Sequence, residues 1–306
     1  MSVLDNVALN AGSVIALGNF DGLHKGHISV LNKALEVAAE RELIPVVMLF
    51  DKHPKQVISG KRPPMLMTDE ARDEKLENMG FRIVKISFEE FRNLEPRQFL
   101  LTIYCRLNVR AICCGFNYHY GIGGSGNVDT MKESSEKLGI EVYAQDEINF
   151  DCEPVSSTRI RQAIESGRIK EANAMLGRQF SYKLEVVDGD KRGRLLGFPT
   201  INQFFPENFV TPRFGVYASK VKLGGLWYPA VTNIGIRPTV DTQRWRSETS
   251  ILGFSGDLYG EKIEVFLLDF MRDERKCSGL SELSKTIRAD AEKAMEIYSS
   301  VDVLLQ

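Results

Sequence analysis

Ten residues near the start, Gly18-Asn-Phe-Asp-Gly-Leu-His-Lys-Gly-His27, have the types and spacing of a phosphate-handling loop. Gly18 and Gly22 allow a tight turn and close backbone approach to a ligand. Phe20, Asp21 and Gly26 complete the loop. A helix beginning near His27 offers unpaired N–H groups and a partial positive charge to an anion. His24 and His27 lie three apart, so both imidazoles face one ligand at that terminus. A lone histidine is more often a core or surface residue with a local hydrogen bond. Here all four histidines (His24, His27, His53, His119) fall in loops directly after expected strands, which favours a shared edge. A second cluster is Val155-Ser-Ser-Thr-Arg-Ile-Arg161. Ser156 or Ser157 caps a helix there. Capping leaves Arg159 and Arg161 unexplained, because positive charge in a first turn opposes the helix dipole. Ser157, Thr158 and Arg161 together fit a polyphosphate site. A third is Gly189-Asp-Lys-Arg-Gly-Arg-Leu-Leu-Gly197, followed by Phe198-Pro199-Thr200. A solvated turn accounts for any one of its charges. The functional reading is a flap over nucleotide phosphates, with backbone N–H groups and basic side chains supplying positive potential. Thr200 then offers a hard hydroxyl ligand to Mg²⁺.

The elements that must position these residues change character along the chain. Up to residue 180, continuous apolar runs such as Ile44–Phe50 alternate with amphipathic stretches such as Ile28–Arg41 and Pro96–Leu107. That alternation indicates a parallel sheet covered on both faces, a doubly wound α/β domain. Sites in such folds lie outside the carboxyl ends of the strands. From Lys183 to Phe270 strands and Gly- or Pro-rich turns take over. Val216–Leu223 and Trp227–Thr232 flank Gly224-Gly225, and Ser250–Phe254 and Lys262–Leu268 flank Gly256–Gly260. This spacing predicts a small antiparallel β-barrel, capped by a helix over Leu280–Val303. The expected domains are 1–180 and 181–306. Gly121-Ile-Gly-Gly-Ser-Gly126 fits a dinucleotide fingerprint, with Asp146 twenty positions on. Six residues separate it from its strand, however, and a Gly-rich loop beside the nucleotide site is the better account.

Composition bounds the function classes. The 306 residues suggest two domains rather than one. Thirty-nine Lys+Arg against 41 Asp+Glu give a formal charge of −2, which removes the broad basic footprint of a nucleic-acid binder. The longest apolar run, Leu43–Phe50, is far short of the ~20 residues a membrane helix needs. No basic, cleavable leader precedes the first apolar stretch, so a secretory signal is not expected. Five cysteines without a C-x-x-C pair fit a reducing cytoplasm better than disulfides or zinc.

The motifs together resemble the bacterial bifunctional riboflavin kinase/FMN adenylyltransferase family. Matches continue in order through Phe50-Asp-Lys-His-Pro54, Gly115-Phe-Asn-Tyr-His-Tyr-Gly121, Leu176-Gly-Arg178, Gly197-Phe-Pro-Thr-Ile-Asn202 and Gly215-Val-Tyr-Ala218. They end with Asn233-Ile-Gly-Ile-Arg-Pro-Thr239, Asp257-Leu-Tyr-Gly260 and Arg272-Asp-Glu-Arg-Lys276. The resemblance implies an N-terminal nucleotidylyltransferase module that makes FAD from FMN and ATP. It implies a C-terminal module that makes FMN from riboflavin and ATP. Carried over residue by residue, it casts His24, His27, Arg161 and Glu248 as catalytic. Gly18, Phe20, Asp21, Gly22, Gly26, Ser157 and Thr158 become phosphate-binding in the first module. Gly193, Arg194, Gly197 and Pro199 take that role in the second. Asn117 and Arg272 bind flavin, and Thr200 and Asn202 hold Mg²⁺. The implied partners are riboflavin, FMN and ATP, with no nucleic acid or membrane, in the cytoplasm. Departures from the family pattern are His119 where an arginine is common, Ile201 for Ala, and Cys277 and Thr286 for Phe and Gln.

Overall fold

The computed structural model describes residues 11–188, 199–238, 243–275 and 278–302. The chain divides into two compact units, Met1–Ser157 and Thr158–Gln306.

The first unit is a parallel sheet wrapped by helices. Its elements are β1 (Ser13–Leu17), α1 (Lys25–Arg41), β2 (Ile44–Phe50), α2 (Pro54–Ser59), α3 (Asp69–Asn78) and β3 (Arg82–Ile86). They continue with α4 (Phe88–Phe91), α5 (Pro96–Leu107), β4 (Val109–Gly115), α6 (Val128–Glu136) and β5 (Glu141–Gln145). The strand order is β3-β2-β1-β4-β5, with every pairing parallel. Continuous apolar runs form these strands because each face is covered. Ile15, Leu17, Met48 and Ile112 pack with Phe99, Leu100, Ile103 and Leu107 of α5. Val14, Ala16, Val47 and Ala111 pack with Leu31, Ala34 and Val37 of α1 on the opposite face. The connections reverse direction at β1, so the loops after β1 and β4 open side by side at the carboxyl edge. Ligand crevices form at that point in open α/β sheets. A short ribbon, β6 (Asn149–Phe150) and β7 (Glu153–Pro154), leads to α7 (Ser157–Glu165).

The second unit comprises the rest of α7, α8 (Ile169–Leu176), and the strands β8 (Phe180–Glu185), β9 (Thr200–Phe204) and β10 (Gly215–Leu223). Then come β11 (Leu226–Pro238), β12 (Gln243–Ile251), β13 (Lys262–Arg272) and α9 (Leu280–Asp302). The six strands pair antiparallel in the order β8-β13-β10-β11-β12-β9. The edges of this curled sheet meet where Val187 bridges Asn202. Helix α9 covers one outer face, packing Ala294, Ile297 and Val301 on Ala218, Val231 and Leu268. Helices α7 and α8 pack on the same barrel. Asn173 of α8 donates from Nδ2 to Leu267 O at 3.0 Å and accepts from Phe180 N at 2.6 Å.

One expected strand is misplaced. Of residues 250–254 only Ser250 and Ile251 are in a strand, the last two of Gln243–Ile251, and the chain then turns. The reason is a polar interior. Ser219 and Thr232 share a hydrogen bond at 2.7 Å, and Thr232 and Thr249 another at 2.9 Å, all three fully buried. Inward hydroxyls remove the apolar alternation by which a strand is read. The Trp227–Thr232 strand is likewise longer than expected, spanning Leu226–Pro238.

Candidate functional sites

In the first unit the glycine–histidine loop leaves the carboxyl end of β1 and enters α1. His24 caps that helix, its Nδ1 accepting from His27 N at 3.3 Å. With Nδ1 used as acceptor, Nε2 is the His24 nitrogen that presents a donor. The His24 and His27 rings stack with centroids 3.6 Å apart. Burial, and then the adjacent His24, hold His27 well below its usual 6.5. His27 is therefore a neutral ring at physiological pH, and its buried Nδ1 has no hydrogen-bond partner. Phe20 closes the back of the pair, edge-on to His27 at 5.3 Å and itself fully buried.

The loop is held in a conformation it would not adopt alone. Phe20 and Leu23 have φ of 52° and 44°, and such non-glycine positions cost on the order of 1–3 kcal/mol each. Surrounding contacts impose it. Asp21 Oδ1 accepts from Leu66 N at 2.9 Å, and Asp21 O accepts from Ser157 Oγ at 3.0 Å. At Gly22 a Cβ would lie 2.6 Å from Leu66 Cδ1, so only glycine lets the loop close against Leu66. Gly18 and Gly26 lie against the Phe20 and His24 rings. Asn117 is exposed in the loop after β4, the strand beside β1. Thr158 and Arg161 follow Ser157 in the first turns of α7.

Two neighbouring residue types prove inert. Burial pushes the thiols of Cys113 and Cys114 up to about 12 and about 11, so neither supplies a thiolate. The Gly121–Gly126 segment is a closed turn, its ends joined by the Tyr120–Gly126 bridge. It does not run directly from strand to helix as a dinucleotide fingerprint would.

In the second unit two cavities flank β9. The larger, about 330 Å³, lies between the barrel wall and α9 and is lined by Thr200, Asn233, Glu248, Arg272, Glu274 and Ile287 among others. The smaller, about 80 Å³, is lined by Pro199, Thr200, Asn202, Thr249 and the Gly256–Tyr259 turn. Thr200 lines both. Glu248 stands opposite Asn202 in the β12–β9 ladder and opposite Asn233 in the β11–β12 ladder. Arg272 borders the larger cavity, but its guanidinium is engaged bidentately by Asp290 of α9 at 2.9 and 2.6 Å. It fixes the helix that roofs the cavity. Gly193, Arg194 and Gly197, together with Cys277, lie outside the described residues. No group of three or more His, Cys, Asp or Glu side chains suited to a metal occurs among the described residues. Thr200 and Asn202 are neutral oxygen donors, a set that suits Mg²⁺ when nucleotide phosphates complete the shell. Sequence reasoning missed the roles of Asn233, Arg246, Glu274 and Asp290. Asn233 and Glu274 sit in motifs already singled out, yet their contact at 3.0 Å joins positions 41 residues apart.

Comparison with known proteins decides the assignment. A family described as FAD synthetase matches residues 7–159, and one described as riboflavin kinase matches residues 176–298. The chain is 35% identical over 299 residues to the bifunctional riboflavin kinase/FMN adenylyltransferase of Bacillus subtilis (strain 168), covering 95% of this chain and 94% of that one. The chain belongs to this bifunctional family. The Escherichia coli (strain K12) member is 32% identical over 94% of this chain and 93% of its own. The solved structure of a macrolide-efflux protein from Streptococcus pneumoniae superposes with a TM-score of 0.85 at 30% identity, covering 95% of this chain and 96% of that one. Among the described residues no helix is long and apolar enough to cross a membrane.

Proposed function

We infer that the protein is a bifunctional enzyme of flavin-cofactor synthesis, a riboflavin kinase and an FMN adenylyltransferase in one chain. The carrying observation is the pair of family matches, one on each module. The C-terminal module transfers the γ-phosphoryl group of ATP to the riboflavin 5′-hydroxyl, releasing ADP and FMN. The N-terminal module transfers AMP from a second ATP to the FMN phosphate, releasing pyrophosphate and FAD.

In adenylyl transfer the attacking FMN phosphate is already anionic, so no strong base or covalent nucleophile is required. The work is positioning and stabilisation of charge on the α-phosphate and pyrophosphate. His24 supplies its Nε2–H, His27 a neutral ring stacked on it, and the α1 N-terminus its free N–H groups. The bends at Gly18, Gly22 and Gly26, with Phe20 and Asp21 in their fixed places, bring backbone close to the phosphates. Ser157, Thr158 and Arg161 receive the leaving pyrophosphate, and Asn117 holds the flavin nucleotide.

Phosphorylation differs because its nucleophile is a neutral alcohol. Glu248, at the cavity wall, accepts the hydroxyl proton as phosphorus is attacked. The larger cavity takes riboflavin, with Arg272 and Asp290 setting its roof. The smaller takes ATP beside Pro199, and the family resemblance gives Gly193, Arg194 and Gly197 the phosphate-binding role. Thr200, lining both, stands where the two substrates meet. Mg²⁺ on Thr200 and Asn202 would neutralise charge on the transferring phosphoryl group. The balanced charge favours these small substrates over nucleic acid, and the cysteine pattern favours a cytoplasmic setting. Incubating purified protein with riboflavin, ATP and Mg²⁺, then separating the flavins by chromatography, tests the assignment. Absence of both FMN and FAD would refute it.

A further inference from the structure

We propose that Arg246 is a positioning residue for riboflavin phosphorylation, holding the Glu248 carboxylate in place at the substrate cavity. This rests on the reading of Glu248 as the base. Arg246 and Glu248 are two apart on β12, so both side chains stand on the same face of the sheet. Arg246 donates from Nη2 to Glu248 Oε1. The arginine side chain is only 10% exposed and the glutamate 35%, so the pair spans from the wall interior to the cavity surface. Nη1 of Arg246 is buried without a hydrogen-bond partner, which leaves Glu248 as the acceptor matched to this cation. Breaking such a pair strands a buried charge, so the carboxylate is tied to one location.

A base must stand within hydrogen-bond reach of the proton it takes, roughly 2.6–3.2 Å. A glutamate with three rotatable bonds does not hold such a position unaided. A buried guanidinium donating from Nη2 to Oε1 narrows that range, with a planar donor that a lysine ammonium would not reproduce.

The neighbouring strand adds a second reason. Arg246 is paired across the ladder with Gly235, and Glu248 with Asn233. Over Gly235 the missing side chain is replaced by the Glu274 carboxylate, whose Oε1 would lie 2.5 Å from a Cβ there. Glu274 Oε1 accepts from Asn233 Nδ2 at 3.0 Å. Two carboxylates, Glu248 and Glu274, therefore line one cavity, with Arg246 donating to the first. Without Arg246, like-charge repulsion would push Glu248 off its position, since Glu274 is held by Asn233.

The test is steady-state kinetics of riboflavin phosphorylation by the full chain. Arg246→Ala should lower kcat about 10–100-fold while riboflavin KM stays within about threefold. Guanidinium chloride at tens of mM, on the order used for filling such a gap, should restore much of kcat where NaCl of equal ionic strength does not. In a Glu248→Gln background the same substitution should cost less than about threefold, because Arg246 acts through Glu248. Should Arg246→Ala not fold, Arg246→Lys keeps charge without the fork and should lower kcat with KM unchanged. Losses that multiply in the double variant, or a loss carried by KM alone, would overturn the proposal. So would an Arg246→Lys enzyme with wild-type kcat. A fully active Arg246→Ala beside an inactive Glu248→Gln overturns this proposal alone. A fully active Glu248→Gln overturns the base assignment and this proposal with it.

Discussion

Neutral His27 and half-exposed Glu248 are opposite uses of environment. His27 is held well below its usual 6.5 by burial and by His24, so its ring is uncharged at neutral pH. His27→Ala should lower FAD formation from FMN by about 10²–10³-fold, on the scale of losing one oxyanion donor. Riboflavin phosphorylation by the same variant should remain near wild type. The buried ring also couples stability to pH. Unfolded, it binds a proton as pH drops beneath 6.5; folded, it does so only well below that. The unfolded state then holds more protons, so stability is full above 6.5 and falls as the solution is acidified towards the folded-state value. Thermal melting followed by circular dichroism from about pH 7 to about pH 5 should show this fall, and His27→Gln should flatten it. Glu248 lines a cavity wall instead. Glu248→Gln keeps size and hydrogen bonding but loses basicity, and should lower riboflavin phosphorylation by roughly 10²–10⁴-fold. Initial rates of both half-reactions on that variant should show FAD formation from added FMN intact.

At Gly215 strand β10 passes close to β13. The glycine's φ is +147°, and a Cβ would lie 2.4 Å from Arg272 O and 2.7 Å from the Phe270 ring. Gly215→Ala must push β10 from β13, since the carbonyl belongs to the backbone, and should cost about 2–4 kcal/mol of barrel stability. Thermal denaturation measures it, and a variant as stable as wild type would mean the strands yield freely. Elements of the first unit were legible because strands buried on both faces are continuous apolar runs. Ile44–Phe50 and Pro96–Leu107 there, and Ile169–Leu176 in the second unit, have the bounds expected from sequence. Strand β12 was not, because Ser247 and Thr249 face inward as fully buried polar groups. Helices α2 and α4, of 6 and 4 residues, are too short for a 3.6-residue period to show. At the sites, contiguous motifs such as Gly18–His27 could be read directly. The Arg272–Asp290 and Asn233–Glu274 pairs could not, because only the fold brings their partners together.

The change of pattern near Gly177–Tyr182 suggests a cut there, with domains 1–180 and 181–306. The contacts divide the chain earlier, between Ser157 and Thr158, because α8 packs on the barrel through Asn173. We therefore expect a fragment starting at Lys183 to phosphorylate riboflavin but to melt at lower temperature than one starting at Thr158. Equal melting temperatures would show that α7 and α8 add nothing to the barrel. Both fragments should fail to make FAD from FMN. The central claim is that one chain carries two independent sites acting in sequence. Its most direct test follows riboflavin, FMN and FAD by chromatography, over time, in wild type, His27→Ala and Glu248→Gln supplied with riboflavin, ATP and Mg²⁺. Wild type should pass riboflavin through FMN to FAD, His27→Ala should stop at FMN, and Glu248→Gln should leave riboflavin unchanged yet convert added FMN to FAD. Loss of both conversions in either single variant, with the protein still folded, would contradict the account.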